Sequence, residues 1–244
     1  MLLQKDLPII HTKLKEGKIL IAGDFHIPFQ DNKAVNTFIN YAADTQPEVI
    51  VINGDLLDFY RLSKFVKGEG RNPMQEIAEG KIILESIRTA CPNSDIYYPI
   101  GNHESRLETY IFNKAPDLEP LIDSFYKLLD CEKYKIQGCH KVIFNKNFVC
   151  KHGELVAQKA CQTAIKELEK EYMDGASGHT HRLSHYITRK NGIKYQYCET
   201  GCLCTMKPHY ILLPDWQQGF VEVIIKDGRV YKMDTKEIED GRIL

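Results

Sequence analysis

The sequence predicts an α/β fold in which two β-sheets pack together and helices cover their outer faces. Two observations support this prediction. The part of the chain up to Ile100 alternates short apolar runs with segments of helical periodicity, which is typical of a largely parallel sheet. The later part contains pairs of apolar runs joined by tight turns, which is typical of antiparallel strands.

The N-terminal elements follow a β-α-β-α-β order. Residues 18–22, 48–52 and 95–100 are short and rich in branched apolar side chains, so they are predicted as buried strands. Between them, Asn32–Thr45 and Pro73–Ala90 carry apolar residues at helical spacing. Strands that alternate with helices in this way form parallel sheets.

The C-terminal elements are predicted as three hairpins and one helix. The hairpin turns contain Asn-Lys-Asn, Asn-Gly and Asp-Gly, and the last two tolerate the positive φ angles that tight turns require. The helix is predicted at residues 154–172, and the paired strands at residues 142–144 and 148–150, 186–188 and 193–198, and 220–225 and 230–233.

Composition restricts the class of protein. The 244 residues include 43% hydrophobic and 27% charged side chains, which suits a single globular domain spanning 1–244. The net charge of −1 argues against bulk attraction to nucleic acid or to an anionic membrane. No apolar run approaches the roughly 20 residues of a membrane helix, and the eight cysteines form no CxxC pair, so we expect a cytoplasmic protein with free thiols.

Polar clusters follow five of the predicted elements, and each cluster includes a glycine. Because the carboxyl ends of strands are where α/β sheets bind ligands, we expect the five clusters to meet at one rim. They are Gly23-Asp24-Phe25-His26, Asn53-Gly54-Asp55-Leu56-Leu57-Asp58, Gly101-Asn102-His103-Glu104, His152-Gly153-Glu154 and Gly178-His179-Thr180-His181.

The residue types in these clusters predict a metal site. Imidazole and carboxylate ligands suit manganese, with iron, zinc or nickel as alternatives. Seven candidate ligands exceed the number that one tetrahedral ion takes, so two divalent ions sharing a carboxylate are predicted. Their excess positive charge would attract a phosphate and turn a bridging water into the hydroxide nucleophile. The candidate ligands are Asp24, His26, Asp55, Asn102, His152, His179 and His181.

A phosphate ester also needs a proton donor for its leaving oxygen. His103 follows a predicted ligand directly and is the candidate general acid. Asp58 lies three residues after Asp55 and is the candidate group that orients the His103 ring, although it could instead cap a helix.

The five clusters together resemble the motifs of the calcineurin-like metallophosphoesterase superfamily. Residues 54–65, together with residues 200–204 and 216–220, resemble its phage-encoded members. This resemblance implies a four-layer α-β-β-α sandwich of two mixed sheets. It also implies one metal held by Asp24, His26, Asp55 and His181, a second held by Asp55, Asn102, His152 and His179, and His103 as the acid.

Within the superfamily the motifs favour two activities. Gly101-Asn102-His103-Glu104 resembles the Ser/Thr protein phosphatases, which favours a phosphomonoesterase acting on a phosphoprotein or nucleotide. Those phosphatases follow the second motif with Asp-Arg-Gly, whereas Phe59-Tyr60 follows Asp58 here. This difference favours a phosphodiesterase, nuclease-like or acting on nucleotides, as the leading hypothesis. A non-catalytic scaffold is the third, and it is disfavoured because all seven ligands and His103 are retained.

Substrate-binding residues are predicted from the positions of three arginines. Arg61 belongs to a loop in which Lys64, Lys67 and Arg71 alternate with aromatic residues, a pattern that suits a nucleic-acid backbone or an ordinary solvated loop. Arg106 and Arg182 each follow a predicted site residue, and each could bind a phosphate oxygen or pair with a carboxylate. The expected partner is therefore a phosphate ester and not a membrane, and the oligomeric state is left open.

Overall fold

The computed structural model describes residues 7–63, 72–208 and 214–244. Its helices are α1 (Asn32–Thr45), α2 (Pro73–Ala90), α3 (Ser105–Lys114), α4 (Phe125–Leu128) and α5 (Gln162–Glu171). Its strands are β1 (Ile9–Thr12), β2 (Gly17–Ala22), β3 (Val49–Ile52), β4 (Asp95–Pro99), β5 (Ile136–Cys139), β6 (Lys141–Phe144), β7 (Phe148–Lys151), β8 (Asp174–Ser177), β9 (Leu183–Lys190), β10 (Ile193–Thr200), β11 (Gly219–Lys226), β12 (Arg229–Glu239) and β13 (Arg242–Ile243).

The strands form two mixed sheets. The first sheet has seven strands in the order β13-β12-β11-β2-β3-β4-β5, and β2 to β5 are parallel. The second sheet has six strands in the order β1-β6-β7-β8-β10-β9, with parallel pairs and antiparallel hairpins combined. In both sheets the antiparallel strands belong mostly to the C-terminal part, as the turn residues predict.

The alternation of side chains along β2 shows how the layers pack. Ile19 and Ile21 point toward the second sheet and join a core that includes Phe144 and Phe148. Leu20 and Ala22 point the other way, toward α1 and α2. On the far side of the second sheet, Val149 and Tyr197 pack against α5. The order of layers is therefore helix, sheet, sheet, helix, and the predicted α-β-β-α sandwich is confirmed.

The predicted helix at residues 154–172 is wrong at its start, because α5 begins at Gln162. The backbone amides of Glu154 and Leu155 lie 3.3 and 3.4 Å from Oε1 of the buried Glu167 and donate hydrogen bonds to it. These bonds hold residues 154–155 in a loop next to α5. Four strands, β1, β5, β8 and β13, have no separate signal in the sequence, and each of them pairs with a neighbouring strand of its sheet.

The structure also bears on membrane association. Among the helices of the described residues, none has both the length and the apolar character needed to cross a membrane.

Candidate active site

The five polar clusters meet at the carboxyl ends of strands from both sheets. In the first sheet, Asp24 and His26 follow β2, Asp55 follows β3, and Asn102 and His103 follow β4. In the second sheet, His152 follows β7, and the last cluster, with His179 and His181, follows β8. The site therefore lies where the ends of the two packed sheets face each other.

Several of the predicted ligands have a left-handed backbone conformation. The φ angles of Asp24, His26 and Asp55 are 53°, 51° and 49°, and those of His179 and His181 are 74° and 59°. Residues other than glycine seldom adopt this conformation, and such strain is typical of functional sites. In the loops after β2 and β3, hydrogen bonds maintain this backbone conformation. The Asp24 amide lies 3.0 Å from the Gly54 carbonyl, and the His26 amide lies 2.9 Å from the Asp55 carbonyl.

Two glycines allow the loops to approach each other this closely. A side chain at Gly101 would overlap with Oδ1 of Asp55. At Gly54, where φ is +82°, a Cβ atom would lie 2.6 Å from Nδ1 of His152. The strand-end glycines are therefore needed for space as well as for turning the chain.

The first group of predicted ligand atoms belongs to Asp24, His26 and His181. Nε2 of His26 lies 2.9 Å from Nε2 of His181, which is itself 3.2 Å from Oδ1 of Asp24. All three side chains are buried. Burial raises the pKa of Asp24, but the contacts with His181 and His26 outweigh it and hold that pKa well below its ordinary value.

The second group of ligand atoms belongs to Asn102, His152 and His179, with Asp55 between the two groups. Nε2 of His152 lies 3.3 Å from Oδ2 of Asp55 and 3.1 Å from Oδ1 of Asn102. The His179 ring lies edge-on to that of His152, with centroids 5.2 Å apart. Oδ2 of Asp55 is also 3.8 Å from Nε2 of His26, so this one oxygen faces both groups.

The donor set fits divalent metal ions. The ligand atoms of Asp24, His26 and His181 lie within 4.8 Å of one another, and so do those of Asp55, His152 and His179. Two buried ring nitrogens at 2.9 Å, as in His26 and His181, need a shared proton or a cation between them. Burial lowers the pKa of His152, yet the charge of Asp55 raises it to about 10, which shows how strongly the cluster favours a positive charge.

Beside Asp55 lies a second arrangement, formed by His103, Asp58 and Arg106. Nδ1 of His103 lies 2.6 Å from Oδ1 of Asp58, and its Nε2 lies 2.9 Å from the Arg106 guanidinium. Because the guanidinium only donates, Nε2 accepts and the ring proton of a neutral His103 lies on Nδ1. Burial lowers the pKa of His103, although the charge of Asp55 opposes this. The ring is therefore contacted at both nitrogens, by Asp58 at Nδ1 and by Arg106 at Nε2.

Asp58 contacts more than the candidate acid. Its Oδ1 also lies 3.2 Å from Nδ1 of His26, and Arg106 donates to its carbonyl oxygen at 2.8 Å. Burial raises the pKa of Asp58, but its hydrogen bonds with His103 and His26 hold that pKa well below the ordinary range. The residue that precedes the short 3-10 helix Tyr60–Leu62 is Phe59, so Asp58 is not its N-cap.

Glu104 joins two of the loops from behind. Its buried carboxylate accepts hydrogen bonds from the amides of Asp55, Leu57 and Gly101 and from the hydroxyl of Tyr98. The bonds from Asp55 and Leu57 tie the loop after β3 to the loop after β4, and the other two fix Glu104 within β4 and its own loop. In the same loop after β3, the carbonyl of Asn53 lies 2.9 Å from Nδ1 of His152, which leaves Nε2 of that ring facing Asp55.

His181 has neighbours that the sequence did not associate with it. The Trp216 ring packs edge-on against it with centroids 4.2 Å apart, and Sγ of Cys204 lies 3.9 Å from its Nδ1. The ligand atoms of His181, Cys202 and Cys204 lie within 4.8 Å of one another. The two thiols therefore lie directly behind a predicted metal ligand.

The three predicted substrate-binding arginines lie in different surroundings. Arg106 is part of the arrangement with His103 and Asp58. Nε of Arg182 lies 2.9 Å from Oδ2 of Asp215, so Arg182 pairs with a carboxylate. Arg61 is exposed in the short 3-10 helix. The other basic residues of that loop, Lys64, Lys67 and Arg71, lie outside the described residues.

Sequence reasoning missed the supporting contacts of the site. Glu104 is the last residue of the motif Gly101-Asn102-His103-Glu104, and its position next to the predicted acid His103 is a signal for a supporting role. Trp216 and Cys204 carry no such signal, since they lie 35 and 23 residues from His181 and reach it only through the fold.

Comparison with known proteins gives relatives of similar length. The gene 54 proteins of Mycobacterium phage L5 and Mycobacterium phage D29 are each 28% identical to this chain, over 92% of it and 95% of the phage protein. Among solved structures, vacuolar protein sorting 29 from Cryptosporidium parvum has a TM-score of 0.54 at 16% identity, covering 95% of this chain and 96% of that one. Vps29 from Chaetomium thermophilum has a TM-score of 0.53 at 10% identity, covering 93% and 94%.

The structural likenesses are at low identity and show the fold alone. The family is shown by a different comparison, since the calcineurin-like phosphoesterase family model matches residues 17–185, which contain every predicted ligand as well as His103 and Asp58. The chain belongs to the calcineurin-like phosphoesterase family.

Proposed function

We propose that this chain is a phosphodiesterase that depends on two divalent metal ions, with manganese as the preferred ion. The observation that carries the proposal is the position of Asp55. Its Oδ2 atom lies 3.8 Å from Nε2 of His26 in one group of ligand atoms and 3.3 Å from Nε2 of His152 in the other. A carboxylate so placed suits a pair of ions that share it.

The residues divide into two sets of four that have Asp55 in common. Asp24, His26, Asp55 and His181 would hold one ion, and Asp55, Asn102, His152 and His179 would hold the other. Bound ions supply positive charge that attracts a phosphate group and makes water more acidic. The amide of His103 donates to Oδ1 of Asp55 at 2.9 Å, and this bond keeps Oδ2 facing both groups.

His103 is the proposed proton donor to the leaving oxygen. Asp58 holds Nδ1, so Nε2 is the atom that would carry the transferred proton. The Arg106 guanidinium next to Nε2 would contact the negative phosphate group when the substrate binds, and this would release Nε2 to take up and give the proton. Asp58 stabilises the protonated ring because its own pKa is low.

The diester preference is supported by a residue difference. Phe59-Tyr60 follows Asp58 where the protein phosphatases have Arg-Gly. The arginine that would bind the phosphate group of a monoester is therefore missing at that position. A phosphomonoesterase is the second candidate, because Gly101-Asn102-His103-Glu104 resembles the phosphatases. A non-catalytic scaffold is the third candidate, and the retained ligand set is the argument against it.

The test compares bis(p-nitrophenyl) phosphate with p-nitrophenyl phosphate, using protein stripped of metal and resupplied with manganese. We expect faster hydrolysis of the diester and two manganese ions bound in calorimetric titration. In His103→Ala manganese should still bind and turnover of this substrate should fall only modestly, because p-nitrophenolate leaves without a proton. Preference for the monoester would replace the proposal with the phosphomonoesterase. Bound metal without turnover, for manganese, iron, zinc and nickel alike, would favour the scaffold.

A further inference from the structure

A cavity of about 510 Å³ opens directly from one side of the site. Three of its lining residues are the predicted ligands Asn102, His152 and His179. Its other walls come from Ile100 after β4, from β6, β7 and α5, and from the segments that flank those three elements. The titratable residues among them are His140, Lys141, Lys151, Glu154, Lys170 and Glu171. A volume of this size falls within the roughly 300 to 1,000 Å³ that is usual for a small-molecule site.

The cavity lies away from the proposed acid. Neither His103 nor Asp58 nor Arg106 lines it. His103 instead lies beside His26, with ring centroids 4.4 Å apart. A phosphomonoester has one organic group, and that group is attached to the oxygen that the acid protonates. A phosphodiester has a second organic group, and the cavity is on the side of Asp55 where that second group would find space.

The walls of the cavity carry charges in balanced pairs. Nζ of Lys170 lies 3.0 Å from Oε2 of Glu154, and Nζ of Lys141 lies 2.7 Å from Oε2 of Glu171. Nζ of Lys151 lies 2.6 Å from the other oxygen of Glu171. It also lies 2.7 Å from the buried Glu167 behind the wall, so each of the three lysines that line the cavity is paired with a carboxylate.

This balance favours one kind of ligand. An apolar group would remove water from the ion pairs and offer no hydrogen bonds in return, which costs free energy. A charged group of either sign would meet like charges together with opposite ones. A hydroxyl group both donates and accepts, so it can bind a carboxylate and an ammonium group of the same pair.

We propose that this cavity is the subsite for the non-leaving group of a phosphodiester, and that it takes a neutral, hydroxyl-bearing group such as the pentose of a nucleoside. The inference rests on the proposed phosphodiesterase function and adds a substrate class to it. Lys170 and Glu154 are the specificity-determining pair, since both are exposed to an incoming ligand, with side chains 46% and 62% accessible.

The test uses three diesters that share p-nitrophenolate as the leaving group. Their second groups are methyl, methyl 2-deoxyriboside joined through its 5-oxygen, and thymidine joined through its 5′-oxygen. We expect both sugar esters to have a KM about tenfold lower than the methyl ester, from one or two hydrogen bonds to charged groups, with similar kcat. In Lys170→Met and in Glu154→Gln the ratio of the methyl KM to the sugar KM should fall toward one.

The matched control is Lys127→Met, which removes an exposed lysine that is paired with Asp123 at 2.6 Å outside the cavity. It should leave all three KM values unchanged. Equal KM values for the three esters in the wild type would overturn the subsite and leave the phosphodiesterase intact. A sugar preference that survives both cavity variants would overturn it too, as would a preference shown by thymidine but not by the deoxyriboside. Failure to hydrolyse even the methyl ester would overturn the proposed function, and the subsite with it.

Discussion

The two sides of Asp55 differ in what surrounds them. On one side, His103 is held at both ring nitrogens by Asp58 and Arg106, and Asp58 also reaches His26. On the other side, His152 and His179 open onto a cavity whose lysines and glutamates pair with each other. The first side is filled by closely spaced polar side chains, an arrangement that suits the proposed proton transfer. The second leaves space, as recognition of a variable organic group requires.

The largest expected effect comes from the residue that joins the two sides. Asp55→Asn removes the charge from the oxygen that faces both groups of ligand atoms, so metal binding should weaken in both. We expect phosphodiesterase activity with manganese to fall by about a thousandfold or more. Calorimetric titration of the metal-free protein should show fewer than two bound ions. The exposed Asp123→Asn serves as control, and a variant at Asp55 with full stoichiometry and activity would contradict the shared role.

The next effect separates proton transfer from metal binding. His103→Ala should lower kcat for an unactivated diester by about a hundredfold to a thousandfold, because general acid catalysis is lost. The loss of kcat should be smaller for esters of p-nitrophenol, because p-nitrophenolate leaves without a proton. Manganese affinity should stay within about twofold of the wild type, since the predicted ligands remain. A large drop in that affinity would mean that His103 belongs to the ligand set instead.

A smaller effect compares two arginines. Arg106→Ala should lower kcat/KM by about tenfold to a hundredfold, because Asp58 and His103 lose the guanidinium that contacts both. Arg182→Ala should lower activity less, since Arg182 is paired with Asp215. Steady-state kinetics of the two variants under the same metal conditions checks this order. The reverse order would assign phosphate binding to Arg182 and leave Arg106 a structural role.

The last effect concerns the stability of the folded protein and not its activity, at Glu76 near Asp58. Burial and the nearby charge of Asp58 raise the pKa of Glu76 to about 8, above its ordinary 4.5. Between about pH 5 and 8 the folded state therefore keeps a proton that the unfolded state has already released. The contribution of Glu76 to the free energy of unfolding falls as pH rises through that window. Glu76→Gln should remove about 2 to 4 kcal/mol of this pH dependence.

Urea denaturation of the metal-free protein at several pH values measures that dependence. Glu85→Gln is the control on the same helix, because Glu85 is exposed and pairs only at 3.5 Å with Lys133. If the free energy of unfolding of Glu76→Gln keeps the wild-type slope between pH 5 and 8, Glu76 is already ionised in the folded protein.

Much of the fold could be predicted because local patterns specify it. The helices Asn32–Thr45 and Pro73–Ala90 have the predicted bounds, since their apolar spacing and their capping residues Asp31 and Asn72 act within a few positions. The start of α5 could not be predicted, because the amides that would begin the helix at Glu154 bind Glu167 instead.

The sequence by itself determined which residues stand at the strand ends, and with them the candidate ligands, the candidate acid and the two-sheet architecture. These features depend on patterns within a few residues: apolar runs, turn glycines and the clusters that follow them. Only the tertiary structure decided that Asp55 faces both groups of ligand atoms and that the Arg106 guanidinium contacts His103. It also decided that Trp216 packs against His181 and that a cavity opens beside His152 and His179. Those contacts join loops and helices whose relative positions depend on how the two sheets and their helices pack, which no local pattern encodes.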